Sequence, residues 1–352
     1  MAGRPGLRRK GEHPIESDAV DLIARLAARE GVHLVDASRN RKLLGLLPKL
    51  FEQAQNPIRI HGRRAEEMFS YMVASLGAAK AVKREDAGEV VLRSTLRLAV
   101  PDFRIVLTRK HEILVEVKNF NHANPNKSIA LTASYLRQMA AYGRLFDRQV
   151  YLAVYWARWR LWTLHPVSEL LRAMSTENFH LSLVTALPRS HMYILGDATW
   201  GTTPPLTLRL NGAATQSKSS RKHFILTIRE VTMLTAGRPI VSKRDQRLAW
   251  EFMLYGDWRE EGPLPIRTDH EITGIEFTFR PIQAQTPECS MVAAASTLAS
   301  AKFTTLTSDS RGIKQLRLSQ LPMPAFPSAR EKYFGSELRL WRFTIMPREA
   351  SQ

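Results

Sequence analysis

The clearest hydrophobic pattern of the chain lies between residues 100 and 120, where two short apolar runs follow one another. In the second run, every other position from 113 to 117 is a branched apolar residue, and the positions between and after them are Leu114, Glu116 and Lys118. Because successive side chains of a strand point to opposite faces, this alternation predicts a β-strand with those three residues on one face. The other face carries Ile113, Val115 and Val117. Burying an acid and a lysine on so apolar a strand is costly unless they are paired or hold a metal, which suggests a functional site.

Helical patterns flank these two predicted strands. Between residues 69 and 76 apolar side chains recur at helical spacing, and Gly77 stands at the expected C-terminal end of that helix. Residues 128–142 predict a second helix downstream. The alternating runs 149–156 and 159–164 then predict two further strands joined by a tight connection. Together these elements predict an α/β fold in which a mixed central sheet is flanked by helices.

Changes in composition divide the chain into four predicted segments. Residues 1–14 are basic and lack an apolar period, which predicts a disordered arm, and residues 15–60 predict a helical N-terminal extension of two short helices. Residues 61–190 form the predicted α/β core. Residues 191–352 are rich in turns and short alternating runs, which predicts a β-rich C-terminal domain of unknown role.

Two features inside the C-terminal segment are specific enough to predict. A helix is expected at Lys243–Tyr255, where Leu248, Phe252 and Tyr255 share one stripe. The polar and basic stretch 213–222 is expected to be a loop.

Two carboxylates could meet where the two central strands lie side by side. Asp102 opens the first strand and Glu116 lies near the end of the second. Oxygen ligands of this kind suit one or two Mg²⁺ ions, for which Mn²⁺ is expected to substitute. Lys118 would orient an attacking hydroxide or stabilise charge in the transition state. This is the chemistry of phosphodiester hydrolysis.

The motif formed by Pro101-Asp102 and Glu116-x-Lys118, with residues 103–115 between them, resembles the signature of the PD-(D/E)XK nucleases, the restriction-endonuclease-like superfamily. The resemblance covers about residues 63–166 and implies a restriction-endonuclease-like central sheet. It also implies an acid from the preceding helix, for which we choose Glu66 over Glu67, although a first-turn acid that stabilises the helix dipole is an equally good interpretation.

The same resemblance implies a glutamine on the helix after the second strand. Gln138, one helical turn before Tyr142, is the candidate for positioning the nucleophile, and an ordinary amphipathic helix is the alternative. The predicted catalytic residues are Asp102, Glu116, Lys118, Gln138 and Glu66. The predicted metal ligands are Asp102, Glu116, Val117 and Glu66.

Composition favours a polyanionic substrate. The chain has 51 Lys and Arg against 33 Asp and Glu, a formal net charge of +18. Such a field attracts nucleic acid. DNA is the preferred expectation because most members of the resembled superfamily cut DNA. An RNA-cleaving nuclease, a non-catalytic nucleic-acid-binding protein and a partner-activated protein that is inactive alone stay open as alternatives.

Other motifs narrow the class of protein. Cys289 is the sole cysteine, which excludes an intramolecular disulfide and a cysteine-based zinc cluster. No GxxxxGK[ST] loop is present, so ATP-driven motor activity is not expected.

The apolar stretches are too short to cross a bilayer, and we expect a cytoplasmic protein without a membrane partner. A homodimer, and protein partners in a restriction, antiviral defence, transposition or repair assembly, remain open.

Overall fold

The computed structural model describes residues 56–85, 97–108, 111–216, 224–269, 271–283, 286–317, 322–329 and 331–347, with scattered positions between 23 and 52. The predicted arm 1–14 lies outside the described residues, as does most of the predicted extension 15–60. Elements in the first half are α1 (Pro57–Leu76), β1 (Ala79–Arg84), β2 (Phe103–Leu107), β3 (Glu112–Phe120), β4 (Ser128–Thr132), α2 (Ala133–Leu145), β5 (Gln149–Trp156), β6 (Leu161–Pro166), α3 (Val167–Arg172), β7 (Asn178–Ser182) and α4 (Leu183–Ala186).

A five-stranded mixed sheet forms the centre of this half. Its strand order is β1-β2-β3-β5-β6. The pair β3/β5 is parallel, and the other neighbours are antiparallel. Helix α1 packs on one face of the sheet and α2 on the other, because Val115 lies in a core with Phe69 of α1 while Leu114 lies in a second core with Leu136 of α2. The predicted fold class and the predicted alternation of β3 are confirmed.

Helix α1 shows how local sequence sets an element's ends. The Asn56 side chain accepts a hydrogen bond from the N–H of Ile58 at 2.9 Å, and Pro57 occupies the first turn, where its missing N–H does no harm. The helix ends at Gly77, whose φ of 80° is the left-handed conformation that glycine adopts most easily. The predicted C-terminal end is confirmed.

The helix predicted over residues 128–142 begins five residues too early. Residues Ser128–Thr132 form strand β4, which pairs antiparallel with β7. Helix α2 starts at Ala133 because the Thr132 side chain caps it, accepting a hydrogen bond from the N–H of Tyr135 at 3.2 Å. The partner strand β7 lies about fifty residues further along the chain, so local periodicity could not reveal it.

The second half is β-rich, as predicted. Its elements are β8 (Thr199–Thr202), β9 (Leu206–Gln216), β10 (Phe224–Thr235), β11 (Arg238–Pro239), α5 (Lys243–Tyr255), β12 (Arg259–Thr268), β13 (Glu271–Arg280), β14 (Ser290–Ala294), α6 (Ala295–Thr307), β15 (Ser308–Asp309), β16 (Gly312–Ile313) and β17 (Leu340–Phe343). One antiparallel sheet has the order β11-β10-β9-β13-β12, and a smaller one has the order β14-β8-β17.

Helix α5 is confirmed with the predicted bounds. The predicted loop 213–222 is wrong at its start, because residues 213–216 pair with β10 as part of β9. Helix α6 escaped prediction: it is rich in Ser, Thr and Ala, and its polar Ser296, Thr297 and Ser300 are buried together with its apolar residues. Residues 295–300 of the helix are all buried, polar and apolar alike, so this part has no amphipathic stripe to detect.

The main hydrophobic core runs across residue 190. It joins Phe69 of α1 and Trp162 of β6 to Trp200, Phe252 and Phe303 of the second half. The Trp162 indole N–H also donates to the Ser300 hydroxyl at 2.9 Å. The boundary near residue 190 stays a prediction, and the two halves share buried apolar surface. Among the described residues, no helix has the length and apolar character needed to span a membrane.

Candidate metal and catalytic site

Asp102 is held at the point where β2 begins. Its carbonyl accepts the N–H of Glu85 at 2.9 Å, and its side-chain Oδ2 accepts the N–H of Val117 at 2.8 Å. The register pairs Phe103 with Val115, so Asp102 and Glu116 are the next residues along the same antiparallel pair. Residues opposite one another in such a pair present their side chains on one face. The fold therefore directs both carboxylates to the same side of the sheet.

The surroundings of Asp102 disfavour the charged form of its carboxylate. Burial, the charge of Glu116 and, more weakly, that of Glu66 raise the pKa of Asp102 to about 7, against the lowering effects of the Val117 N–H and the charge of Lys118. Near neutral pH, Asp102 is thus poised between its protonated and charged forms. A cation bound beside it would favour the charged form.

Glu116 is 6 % exposed and forms a compact polar cluster with Lys118 and Tyr135. Its Oε1 accepts hydrogen bonds from the Lys118 ammonium and from the Tyr135 hydroxyl, both at 2.5 Å. Lys118 also donates to the Tyr135 oxygen at 3.0 Å, and its ammonium lies 5.0 Å from the centre of that ring. Strand β3 supplies the acid and the lysine, and the first turn of α2 supplies the phenol.

The protonation states of this cluster follow from its charges. Although burial alone would lower it, the Glu116 carboxylate and its hydrogen bond raise the pKa of Lys118 above the usual value, so the ammonium stays charged. Burial and the Glu116 charge raise the pKa of Tyr135 to about 12, so the hydroxyl keeps its proton. Lys118 can therefore donate hydrogen bonds and stabilise negative charge, but it is a poor proton acceptor.

Glu66 lies within electrostatic range of Asp102 but is engaged by arginines. Its Oε2 accepts from Arg63 at 3.0 Å and is in very close contact with Arg84 of β1. Arg84 also donates to Glu67 at 3.1 Å, and Glu67 contacts Arg317 at 3.4 Å. The Oε1 of Glu66 has no hydrogen-bond partner among the described residues, but the arginines on Oε2 offset the negative charge that would attract a metal. The assisting role of Glu66 remains a prediction.

Gln138 lies one turn beyond Tyr135 on α2. Its amide donates to the Ser134 hydroxyl at 3.1 Å, and within the described ranges it has no hydrogen bond to Asp102, Glu116 or Lys118. The Tyr142 hydroxyl donates instead to Glu85 at 3.0 Å. The nucleophile-positioning role of Gln138 also stays a prediction. The sequence pattern did not single out Tyr135, although this residue stands three positions before Gln138 and thus on the same helical face.

The donor set suits a hard cation that needs few protein ligands. Within the described part of the chain, no group of three or more His, Cys, Asp or Glu side chains is placed to hold a metal. Mg²⁺, however, commonly binds through one or two carboxylates and completes its shell with waters and substrate phosphates. Asp102 Oδ1 and Glu116 Oε2 have no hydrogen-bond partner among the described residues and could serve in this way. Val117, whose side chain is buried and apolar, could bind a metal only through its carbonyl oxygen.

Comparison with known proteins leaves the family open. No family model matches the sequence, and no curated protein matches it. The chain is similar to a solved structure of a Holliday junction resolvase from the archaeal hyperthermophile Archaeoglobus fulgidus, with 22% sequence identity and a TM-score of 0.29. The match covers 39% of this chain and 96% of the resolvase. A likeness of this size supports no inference about activity.

Proposed function

We propose that this protein is a Mg²⁺-dependent nuclease of the restriction-endonuclease-like type, which hydrolyses phosphodiester bonds in nucleic acid and prefers DNA. One observation supports this most strongly: two carboxylates, Asp102 and Glu116, lie on one side of adjacent strands, and the pKa of Asp102 is raised to about 7. Acids whose pKa is strongly raised by burial and by a second acid are found preferentially at functional sites.

Each residue of the cluster has a role that its contacts support. Asp102 and Glu116 would bind the metal, with the Val117 carbonyl as a further ligand. A bound divalent ion would polarise the scissile phosphate and acidify the attacking water. Lys118 stays charged and would stabilise the negative charge that develops on the phosphate oxygens. Tyr135 holds the ammonium at 3.0 Å and so fixes its position.

The positive charge of the chain supports the choice of substrate. A formal net charge of +18 attracts polyanions and predicts affinity that falls steeply with salt. DNA is proposed ahead of RNA on the resemblance of the motif alone. A role in restriction, antiviral defence, transposition or repair would follow from that activity.

Cleavage assays test the proposal. Wild type, Glu116→Ala and Lys118→Ala are incubated with plasmid, linear duplex, single-stranded DNA and RNA, with Mg²⁺, Mn²⁺ or EDTA. We expect cutting by the wild type with either metal and none in EDTA, and a loss of about a hundredfold or more in each variant. Cutting in EDTA, cutting by both variants at the wild-type rate, or no cutting of any substrate by the wild type would contradict it.

A further inference from the structure

A basic groove lies in the second half of the molecule, and neither Asp102 nor Glu116 lines it. It has a volume of about 630 Å³ and is bounded by α5, by Lys302 of α6 and by residues 323–325. Helix α5 contributes Lys243, Arg247 and Trp250. These three residues follow one another at intervals of four and three, so they share one face of the helix. None of them belongs to the candidate metal and catalytic site.

Two of the three cations of α5 are available to a ligand, since the third, Arg244, is paired with Glu331. Lys243 and Arg247 are exposed, and neither forms an ion pair with any residue that the structure describes. The acid of the groove, Glu251, is already neutralised: its Oε1 accepts from Lys302 at 2.5 Å and its Oε2 accepts the N–H of Ala325 at 2.6 Å. The groove therefore carries uncompensated positive charge and would attract an anion.

Trp250 adds a flat apolar surface to this charge. It is 42% exposed, whereas the apolar residues on the opposite side of α5, Leu248 and Phe252, are fully buried in the core. An exposed indole beside two unpaired cations matches the two components of a nucleotide, a base and a phosphate. A duplex keeps its bases stacked inside, so the indole could stack only on an unpaired base.

We propose that this groove binds a single-stranded segment of nucleic acid, with a base stacked on Trp250 and phosphates on Lys243 and Arg247. The nature of the polymer rests on the proposed function, while the groove itself is independent of the metal site. An acidic peptide would be attracted by the same charges. It would gain little from the indole, and the observations therefore favour nucleic acid.

Fluorescence anisotropy with a short labelled oligo(dT) tests this inference. Binding is measured in EDTA, so that cleavage cannot interfere, for the full-length wild type, Trp250→Ala, Trp250→Phe and Lys243→Ala/Arg247→Ala. Arg267→Ala/Lys314→Ala is the control: both side chains are exposed, neither lines the groove, and the pair removes the same charge. A duplex of equal length and poly-glutamate serve as competitors.

The expected effects differ between the variants. Trp250→Ala should weaken oligo(dT) binding about fivefold to a hundredfold, and Trp250→Phe should restore part of it. The Lys243/Arg247 double variant should reduce the slope of log K against log salt by about 1.4, or about 0.7 for each lost phosphate contact. The control pair should leave oligo(dT) affinity within about twofold of the wild type.

Three results would overturn the inference: no oligo(dT) binding by the wild type, equal binding by Trp250→Ala, or equal losses in the double variant and its control. Competition by poly-glutamate as effective as that by oligo(dT) would assign the groove to an acidic partner instead. Groove-dependent binding without any cleavage would refute the proposed nuclease and leave this inference standing. Cleavage without groove-dependent binding would support the proposed nuclease and refute the inference about the groove.

Discussion

Two aspartates of this chain, Asp245, which is buried, and Asp102, which is half-buried, have opposite surroundings. Asp245 of α5 is 0% exposed, and its carboxylate accepts five hydrogen bonds. The donors are the Tyr333 hydroxyl, the Ser336 N–H and hydroxyl, and the N–H groups of Glu337 and Leu338, at 2.6–3.0 Å. Among the described residues, the Asp102 carboxylate accepts one hydrogen bond, from the N–H of Val117, and it lies near two acids, Glu116 and Glu66.

The pKa values of the two acids follow these surroundings. Burial alone would raise the pKa of Asp245, but hydrogen bonds from Tyr333 and from the backbone at residues 336–338 lower it below the usual value. The pKa of Asp102 is raised to about 7 by burial and by Glu116. A buried acid that the fold satisfies completely stabilises the structure. An incompletely satisfied acid next to another acid is the better candidate for binding something else.

The largest effect is expected at the satisfied acid. Asp245→Ala would leave several buried donors without an acceptor, and we expect the free energy of unfolding to fall by about 3 kcal/mol. Urea unfolding followed by circular dichroism measures this change. An unfolding free energy within about 0.5 kcal/mol of wild type would show that the segment 333–338, whose groups donate to Asp245, does not depend on this acid.

Replacing Asp102 should raise the free energy of unfolding, whereas replacing Asp245 lowers it. The folded-state pKa of Asp102 is raised above the unfolded value, so the stability associated with its protonated form is present below about pH 4 and is lost as pH rises through about 7. Asp102→Asn keeps an acceptor for Val117 without the charge. In EDTA at pH 8 we expect the variant to be more stable than wild type by about 2 kcal/mol.

That difference should shrink as pH falls to 5, where the wild-type carboxyl is protonated. Denaturant unfolding at both pH values tests it. A variant that is less stable than wild type at pH 8 would mean that Asp102 is a satisfied acid like Asp245.

A smaller effect is expected on catalysis from Tyr135. Tyr135→Phe removes the hydroxyl that contacts both Glu116 and Lys118, and we expect the cleavage rate to fall about tenfold because the ammonium loses its fixed position. Tyr142→Phe is the matched control: it lies on the same helix and loses a hydroxyl that donates to Glu85. Equal losses in the two variants would remove Tyr135 from the site.

The smallest effect is expected at Gln138. Its amide is bonded to Ser134 and must rotate to reach a nucleophile, so Gln138→Ala should slow cleavage about threefold, less than Tyr135→Phe. Single-turnover kinetics with saturating enzyme compares the two variants. A loss larger than that of Tyr135→Phe would assign Gln138 a direct contact with substrate or water.

Local sequence predicts much of the central sheet but little of what surrounds it. The alternation of β3 is a property of consecutive residues, so the faces of Glu116 and Val117 could be predicted. The pairing of β4 with β7, and the burial of polar residues in the first turns of α6, depend on contacts between segments far apart in the chain. The engagement of Glu66 by Arg84, and the place of Tyr135 beside Lys118, arise from the same kind of contact.

Metal binding at Asp102 is the central claim, and thermal unfolding with and without Mg²⁺ at pH 7.5 tests it most directly. A ligand that binds only the folded state raises the Tm, and we predict a rise of about 2–4 °C for wild type at millimolar Mg²⁺. Tyr142→Phe should show the same rise, and Asp102→Asn should show none. No rise in wild type, or an equal rise in Asp102→Asn, would contradict a metal site at these carboxylates.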